Sequence, residues 1–558
     1  MNNYGKIAYD AYKRISKVNF VQITTSKLNI LYNIVCRMKR DPEYRRELEA
    51  FVTEEGDSIE TLIERYFLEY NARHGLEIRD SLTEFENPDL AEGSYFIVDT
   101  YKVVSGNLVP CDAPEFSIGD TAHIVVKHYS HAKDELLVSP VLHYVVKTDD
   151  GVEYDGKCYD TNTCEFNITL SRAGLGQFKV FSETPDGNKI IGAETALGGV
   201  LFNWREIPLS KPLADDFDEY WNRQIDRLLK VNPTDKTPDE YNGEVLYEYD
   251  MPKDNHFEIN KFDKEFLDVL HDEGICNYTE DILEKFDFYE LNFKAPGPCH
   301  SSNYLSIPKN QGDKKFSIQV SFDGYSATPS VPTFNENYIC LKCSHHGYKL
   351  PRSLKEYYAP IRSGVCAFYG LGKKGKPNSE FKNLDDNYLL YTHLRIMQAI
   401  RFVTTREFSG FIENLHDVWD GNLLFVGGSM GGYLSISQAA LASLYLKKNK
   451  TYNLVSVLAD IPAFCNIYGR MENRVPCMTS YSEGMDYYDA AHFAHLVNVP
   501  VTIPRIGLGD FTCSPNGIVA MFNSLPKTIH KKVNFLQNSD HNYIPEVEVQ
   551  KWFRYEID

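Results

Sequence analysis

Along the chain, apolar and polar positions change rhythm twice. Residues 1–86 carry apolar side chains at helical spacing. Ile59, Leu62, Ile63, Tyr66, Phe67 and Tyr70 fall on one face of a helix that Ser58 caps and that ends near Gly75. Thr25 to Met38 is a second amphipathic candidate. Residues 87–205 hold short β-rich runs instead, at Ala122 to Val126, Val141 to Val146, Thr163 to Leu170 and Gly176 to Ser182. Turn pairs such as Asp150-Gly151 and Asp186-Gly187 separate them, the spacing of an immunoglobulin-like β-sandwich.

From 206 to 558 strand and helix patterns alternate, which predicts a mostly parallel sheet with helices on both faces, an α/β architecture. The strand candidates are Tyr289 to Phe293, Tyr304 to Ile307, Phe316 to Phe322, Tyr338 to Lys342, Leu423 to Val426, Leu454 to Leu458, Val499 to Gly507 and Lys532 to Leu536. Residues 233–285 are charged and poor in strand pattern, and read as an insertion that leans over a site. Three domains are expected: a helical segment at 1–86, a β-sandwich at 87–205 and the α/β domain at 206–558.

Gly427-Gly428-Ser429-Met430-Gly431-Gly432 follows the strand Leu423 to Val426, and a helix from Tyr433 to Leu446 follows it. This is G-x-S-x-G in the strand–turn–helix context of a nucleophile elbow. The turn forces the serine into a strained backbone, and side chains at the flanking glycines would collide with strand or helix. The Met430 N–H then points, with the helix N-terminus, at a developing oxyanion. A glycine-rich turn that happens to hold a serine is the plainer reading, and the residue order downstream decides against it. In α/β-hydrolases the acid and then the histidine follow the serine. Here Asp510 ends the strand Val499 to Gly507, and His541 follows the strand Lys532 to Leu536. Alone, Asp510 is a turn aspartate and His541 a surface histidine. Together with Ser429 they supply a nucleophile, an acid that orients the imidazole and a base. Asp540 is the weaker candidate for the acid, because it adjoins His541 in sequence.

Composition removes other classes. The formal charge of −20 over 558 residues argues against a nucleic-acid or anionic-membrane partner. An apolar content of 43% fills large cores. No run approaches the length of a transmembrane helix, and the start lacks a signal-peptide pattern, so a cytoplasmic enzyme is expected. The twelve cysteines are scattered through apolar runs, which suits free thiols in a reducing compartment. Cys340-x-x-Cys343 followed by His345-His346 mimics a zinc pattern, but no second cysteine pair accompanies it, so no metal or cofactor is expected.

Four stretches carry a family resemblance. Ala214-Asp215-Asp216-Phe217-Asp218-Glu219-Tyr220-Trp221, Gly427 to Gly432, Ala459-Asp460-Ile461-Pro462-Ala463-Phe464-Cys465 and Gly507 to Pro515 are similar to motifs of the acetyl xylan esterase and cephalosporin C deacetylase family of α/β-hydrolases. The resemblance runs over roughly 206–558. It implies Ser429 as nucleophile, Asp510 as acid and His541 as base. It also implies the N–H groups of Tyr325 and Met430 as oxyanion donors, since Phe322-Asp323-Gly324-Tyr325 stands where the family has His-Gly-Tyr. The chain departs from the family at Asp323, at Ser326-Ala327 and at Met430, so its pockets can differ while backbone donors survive. The expected activity is hydrolysis of acetyl esters on carbohydrate through an acyl-enzyme. The runner-up is O-acetyl transfer to a sugar in surface-glycan or glycoprotein assembly, and the reading of another class is a non-catalytic scaffold. The expected partners are an acetylated sugar or glycan and, through the N-terminal helices, a second copy or another protein.

Overall fold

The computed structural model describes residues 94–558, apart from 131–134, 186, 188–194, 238–254, 273–280, 299, 310–311, 325–331, 345–383, 478 and 480. The helical candidates at 25–38 and 58–75 lie outside the described residues, as does Tyr325. The chain divides into two compact units. The first takes in residues 94–203, Gly507–Asp510 and Leu536–Trp552. The second takes in Trp204–Ile506, Phe511–Phe535 and Phe553–Asp558.

In the first unit eight strands form two four-stranded sheets. They are β1 (Ser94–Val104), β2 (Asn107–Pro110), β3 (Ala122–Ser130), β4 (Ser139–Thr148), β5 (Glu153–Thr161), β6 (Thr163–Ile168), β7 (Gly174–Glu183) and β8 (Thr195–Phe202). One sheet has the order β2-β1-β3-β6, the other β5-β4-β7-β8, and the pairings are antiparallel. Alternation buries one face of each, and Phe166 of β6 stacks on Tyr144 of β4 and meets Phe178 of β7 edge-on. Four of these strands escape the sequence pattern. β5 lies at a sheet edge and its inner face, Tyr154, Gly156 and Cys158, is only half-buried, so its apolar alternation is faint. β8 contains Gly198 and Gly199, residues that strands ordinarily avoid.

The second unit is built on a ten-stranded sheet ordered β18-β17-β16-β15-β14-β12-β13-β11-β10-β9. The strands are β9 (Glu258–Lys261), β10 (Phe286–Phe293), β11 (Ser301–Pro308), β12 (Phe316–Phe322), β13 (Ile339–Ser344), β14 (Trp419–Gly428), β15 (Asn453–Asp460), β16 (Val501–Gly507), β17 (Lys531–Leu536) and β18 (Trp552–Ile557). Pairs from β13 through β12, β14 and β15 to β16 are parallel, while β9, β10 and β11 run antiparallel. All eight strand candidates fall within observed strands or overlap them. The two edge strands, β9 and β18, do not register in the sequence because one is four residues long and the other alternates charged with apolar residues. β9 places Glu258–Lys261 of the charged stretch 233–285 at the edge of the sheet.

Helix α1 (Phe217–Leu229) buries Phe217, Tyr220 and Trp221, the aromatic residues of the first family-like motif. Tyr220 Oη meets Tyr488 Oη at 2.6 Å, and Trp221 Nε1 donates to the Tyr487 carbonyl. Helix α2 (Tyr388–Thr404) starts where the Asn387 side chain accepts the Leu390 N–H, a cap worth about 1 kcal/mol. Helix α3 (Met430–Lys448) is buried from Met430 to Tyr445, and its two lysines sit at the C-terminal end, where the helix dipole favours cations. Among the described residues no helix is long and apolar enough to cross a membrane.

Candidate functional site

The chain leaves β14 and enters α3 through a single residue, Ser429, at φ 58° and ψ −118°. A non-glycine residue there stores backbone strain, of order 1–3 kcal/mol, which neighbouring structure must hold. The neighbours are specific. The Ser429 N–H donates to the Asp460 carbonyl at 2.9 Å, and the Ala463 N–H donates to the Ser429 carbonyl at 3.0 Å. The family-like stretch Ala459 to Cys465 therefore serves as the clasp of the turn. It carries its own strain, with Ile461 at φ 35° and Phe464 at φ 54°.

The glycines have measurable reasons. A Cβ on Gly427 would lie 2.4 Å from the Gly431 backbone, one on Gly431 2.4 Å from the Phe322 carbonyl oxygen, and one on Gly432 2.6 Å from the Asp460 carbonyl oxygen. Gly428 differs, since its nearest neighbour would be 3.8 Å away. Three of the four glycines answer to close packing of backbone on backbone.

As the first residue of α3, Met430 carries an N–H with no acceptor inside the helix, and its side chain is buried. In the adjacent strand Phe322 pairs in parallel register with Gly427, so the chain toward Asp323 and Gly324 leaves the same end of the sheet as the serine turn. Asp323, which stands where the family has histidine, pairs with Lys342 at 2.5 Å. A cation thus balances the carboxylate that the departure introduces.

In the first unit Asp510 and His541 meet. His541 Nδ1 lies 3.0 Å from Asp510 Oδ2. Asp510 is fully buried, and the His541 side chain is 15% exposed. A buried carboxylate on Nδ1 leaves the proton there and turns Nε2 into the basic nitrogen. Asp540 is committed elsewhere, its Oδ1 accepting the N–H groups of Asn542 and Tyr543 at 2.8 and 2.5 Å. Burial pushes its carboxyl above the usual range, against those two hydrogen bonds.

Cys340 and Cys343 both lie in β13, where a spacing of three sends side chains to opposite faces. Burial pushes the Cys340 thiol up to about 11 and Cys343 higher still, the reverse of what a thiolate ligand needs. His345 and His346 lie outside the described residues. None of the described cysteines is in a disulfide. Sequence reasoning missed two groups around these loops. Arg505 reaches Asp460 at 3.5 Å beneath the clasp, and Gln177 of β7 contacts the Asp510 loop. Neither belongs to a short motif.

Comparison with known proteins bears on one stretch. A family model described as acetyl xylan esterase (AXE1) matches residues 386–558. That range contains the serine turn, the clasp and the Asp510 and His541 loops, and leaves out the Asp-Phe-Asp helix and the Phe322-Asp323-Gly324 segment. No curated protein matches by sequence. Among solved structures, acetyl xylan esterase 1 from Thermoanaerobacterium sp. JW/SL YS485 is 16% identical with a TM-score of 0.37, covering 62% of this chain and 94% of that one. The acetyl xylan esterase from Paenibacillus sp. R4 is 14% identical with a TM-score of 0.40, covering 62% and 95%. Residues 386–558 thus match the acetyl xylan esterase family, and the resemblance read from the sequence holds over that stretch.

Proposed function

We propose that the protein is a serine esterase that removes acetyl groups from O-acetylated carbohydrate. Ser429 is the nucleophile, His541 the general base and Asp510 the group that orients and charges the imidazole. Ser429 Oγ attacks the ester carbonyl as His541 Nε2 takes its proton, and the oxyanion is held by the backbone N–H groups of Met430 and Tyr325. His541 then gives that proton to the departing sugar alkoxide oxygen, which leaves as the alcohol. Water, deprotonated by the same nitrogen, releases acetate from the acyl-enzyme.

The observation that carries this reading is the strained Ser429 at φ 58°, held between β14 and α3 by Gly427, Gly431 and Gly432, which admit no side chain. Strain of this kind persists where surrounding structure over-determines it, and a surface turn needs none. The Asp510–His541 pair and the family match over 386–558 add to it. In this reading residues 87–205 are an immunoglobulin-like β-sandwich, a view supported by the two facing antiparallel sheets, and 206–558 the catalytic domain.

The experiment is turnover of p-nitrophenyl acetate by the full chain and by Ser429→Ala, with and without a sugar acceptor. The expected result is acetate release that falls at least ~10³-fold in the variant. Undiminished turnover by folded Ser429→Ala overturns the assignment. Acetylated sugar forming faster than acetate would make the same residues those of a transferase.

A further inference from the structure

Gln177 sits in the middle of β7, fully buried, and its amide Nε2 donates to two carbonyls of the acid loop: Asp510 O at 2.9 Å and Leu508 O at 3.3 Å. Two acceptors at one atom fix that atom as the amide nitrogen. The bonds span 333 and 331 residues of sequence. Other strands of the same unit grip the base loop. Gln537 mimics a strand neighbour of β8, accepting the Gly199 N–H at 3.2 Å and donating to the Gly199 carbonyl at 2.9 Å. Asn538, at φ 53°, accepts the Leu197 N–H and donates to the Phe96 carbonyl in β1.

The packing leaves no slack. A Cβ on Gly199 would lie 2.6 Å from the Leu508 carbonyl oxygen, and one on Gly509 2.2 Å from the Leu197 backbone. Gly507 approaches the Ser539 carbonyl equally closely. The glycines that weaken β8 as a strand are what let it touch both loops. Within this unit, the two loops are also tied to each other. The Leu508 N–H donates to the Leu536 carbonyl, and the Gly509 N–H to the Ser539 carbonyl.

We infer that Gln177 is a positioning residue, and that β1, β7 and β8 form a brace fixing the Asp510 carboxylate against the His541 imidazole. The inference rests on the proposed roles of Asp510 and His541. The brace acts on the acid through its own backbone carbonyl, one bond from the Cα that carries the carboxylate. Removing the Gln177 amide takes one donor away from each of two carbonyls in buried residues, and the loop relaxes. A carboxylate that drifts from Nδ1 stabilises the imidazolium less, so the histidine gives up its proton at lower pH. Among the described residues Asp540 on the base loop and Lys179 on β7 are titratable groups that face these loops, Cys513 follows Asp510 by three residues, and the variants below leave all three in place.

Gln177→Met keeps the volume and removes the donor. In the full chain with p-nitrophenyl acetate, kcat should fall ~10- to 100-fold, with KM within about twofold. The acid limb of the kcat/KM profile should move to lower pH by about half a unit or more. Asn538→Gly tolerates the positive φ, removes the grip on the base loop and should act in the same direction. A folded Gln177→Met with wild-type kcat and an unmoved acid limb overturns the inference, even if its melting temperature drops. If that variant does not fold, Asn538→Gly decides by the same two readouts. Ser429→Ala in the same assay separates the two proposals. Its full activity sinks the esterase reading, whereas a dead Ser429→Ala beside an unaffected Gln177→Met sinks only the brace.

Discussion

The serine turn and the loops of Asp510 and His541 are held in place by opposite means. Around Ser429 the restraint is local and made of backbone. Glycines at 427, 431 and 432 let main chain pack on main chain, and the clasp at 460–463 comes from the next strand. Around Asp510 and His541 backbone bonds tie the two loops together, and the hold from the rest of the unit is distant and leans on side chains, with Gln177 and Asn538 bonding across more than three hundred residues. A turn built the first way leaves a short motif in the sequence. A pair of loops built the second way leaves a solitary glutamine in an apolar strand and two glycines where a strand should continue.

The largest expected effects probe the reaction the two regions serve. His541→Ala should lower kcat/KM for p-nitrophenyl acetate by ~10³- to 10⁴-fold, and Asp510→Asn by a similar factor, because an amide in place of the carboxylate favours the wrong imidazole tautomer. Asp540→Asn is the control. Its oxygen accepts backbone N–H groups, so its loss should cost less than ~10-fold. Equal losses from the Asp510 and Asp540 variants would remove the distinction between them.

A middle-sized effect separates backbone packing from mere glycine content. Gly427→Ala places a Cβ 2.4 Å from the Gly431 backbone and should destabilise the fold by about 2–3 kcal/mol. Gly428→Ala meets nothing closer than 3.8 Å and should cost under about 1 kcal/mol. Denaturant unfolding of both variants checks the pair. Matching losses would mean that the turn is not held by close packing at Gly427.

The most gradual effect concerns acid stability, and it treats the units alike. Each buries a histidine, His128 in the first and His393 in the second, and burial holds His393 down to about 4 and His128 to about 3. The unfolded chain takes up protons near 6.5, before the folded chain does, so stability is full above that pH and falls as pH drops from 6.5 toward 4. For His393 this amounts to a few kcal/mol at most. His393→Asn keeps a donor for the Leu389 carbonyl and should flatten the dependence of unfolding free energy on pH in that window. An unchanged slope would show that His393 titrates as freely folded as unfolded.

Much of the second unit was legible in the sequence because its central strands read as short apolar runs, β10 and β11 among them buried on both faces. β12 begins and ends where the pattern puts it, and α3 is longer than its apolar pattern by a few residues at its start. The edge strands β5, β9 and β18 were not legible, since an edge strand facing water lacks the apolar run of a buried one, and charged residues interrupt β18. The same division runs through the candidate site. Ser429, Asp510 and His541 announce themselves by motif and order. Gln177 does not, because a single polar residue on a core face has the same sequence signature whether it seals a sheet or steadies an acid.

The central claim, that Ser429 carries the acyl group, has a direct test. The full chain is mixed with p-nitrophenyl acetate, quenched in acid within the first turnover, digested and examined by mass spectrometry. The account predicts one acetyl group on the peptide containing Ser429, absent from Ser429→Ala and accumulating when deacylation is slowed at low pH. An acetyl group that forms at the same rate on another residue, or wild-type turnover with Ser429 unlabelled at every quench time, would contradict it.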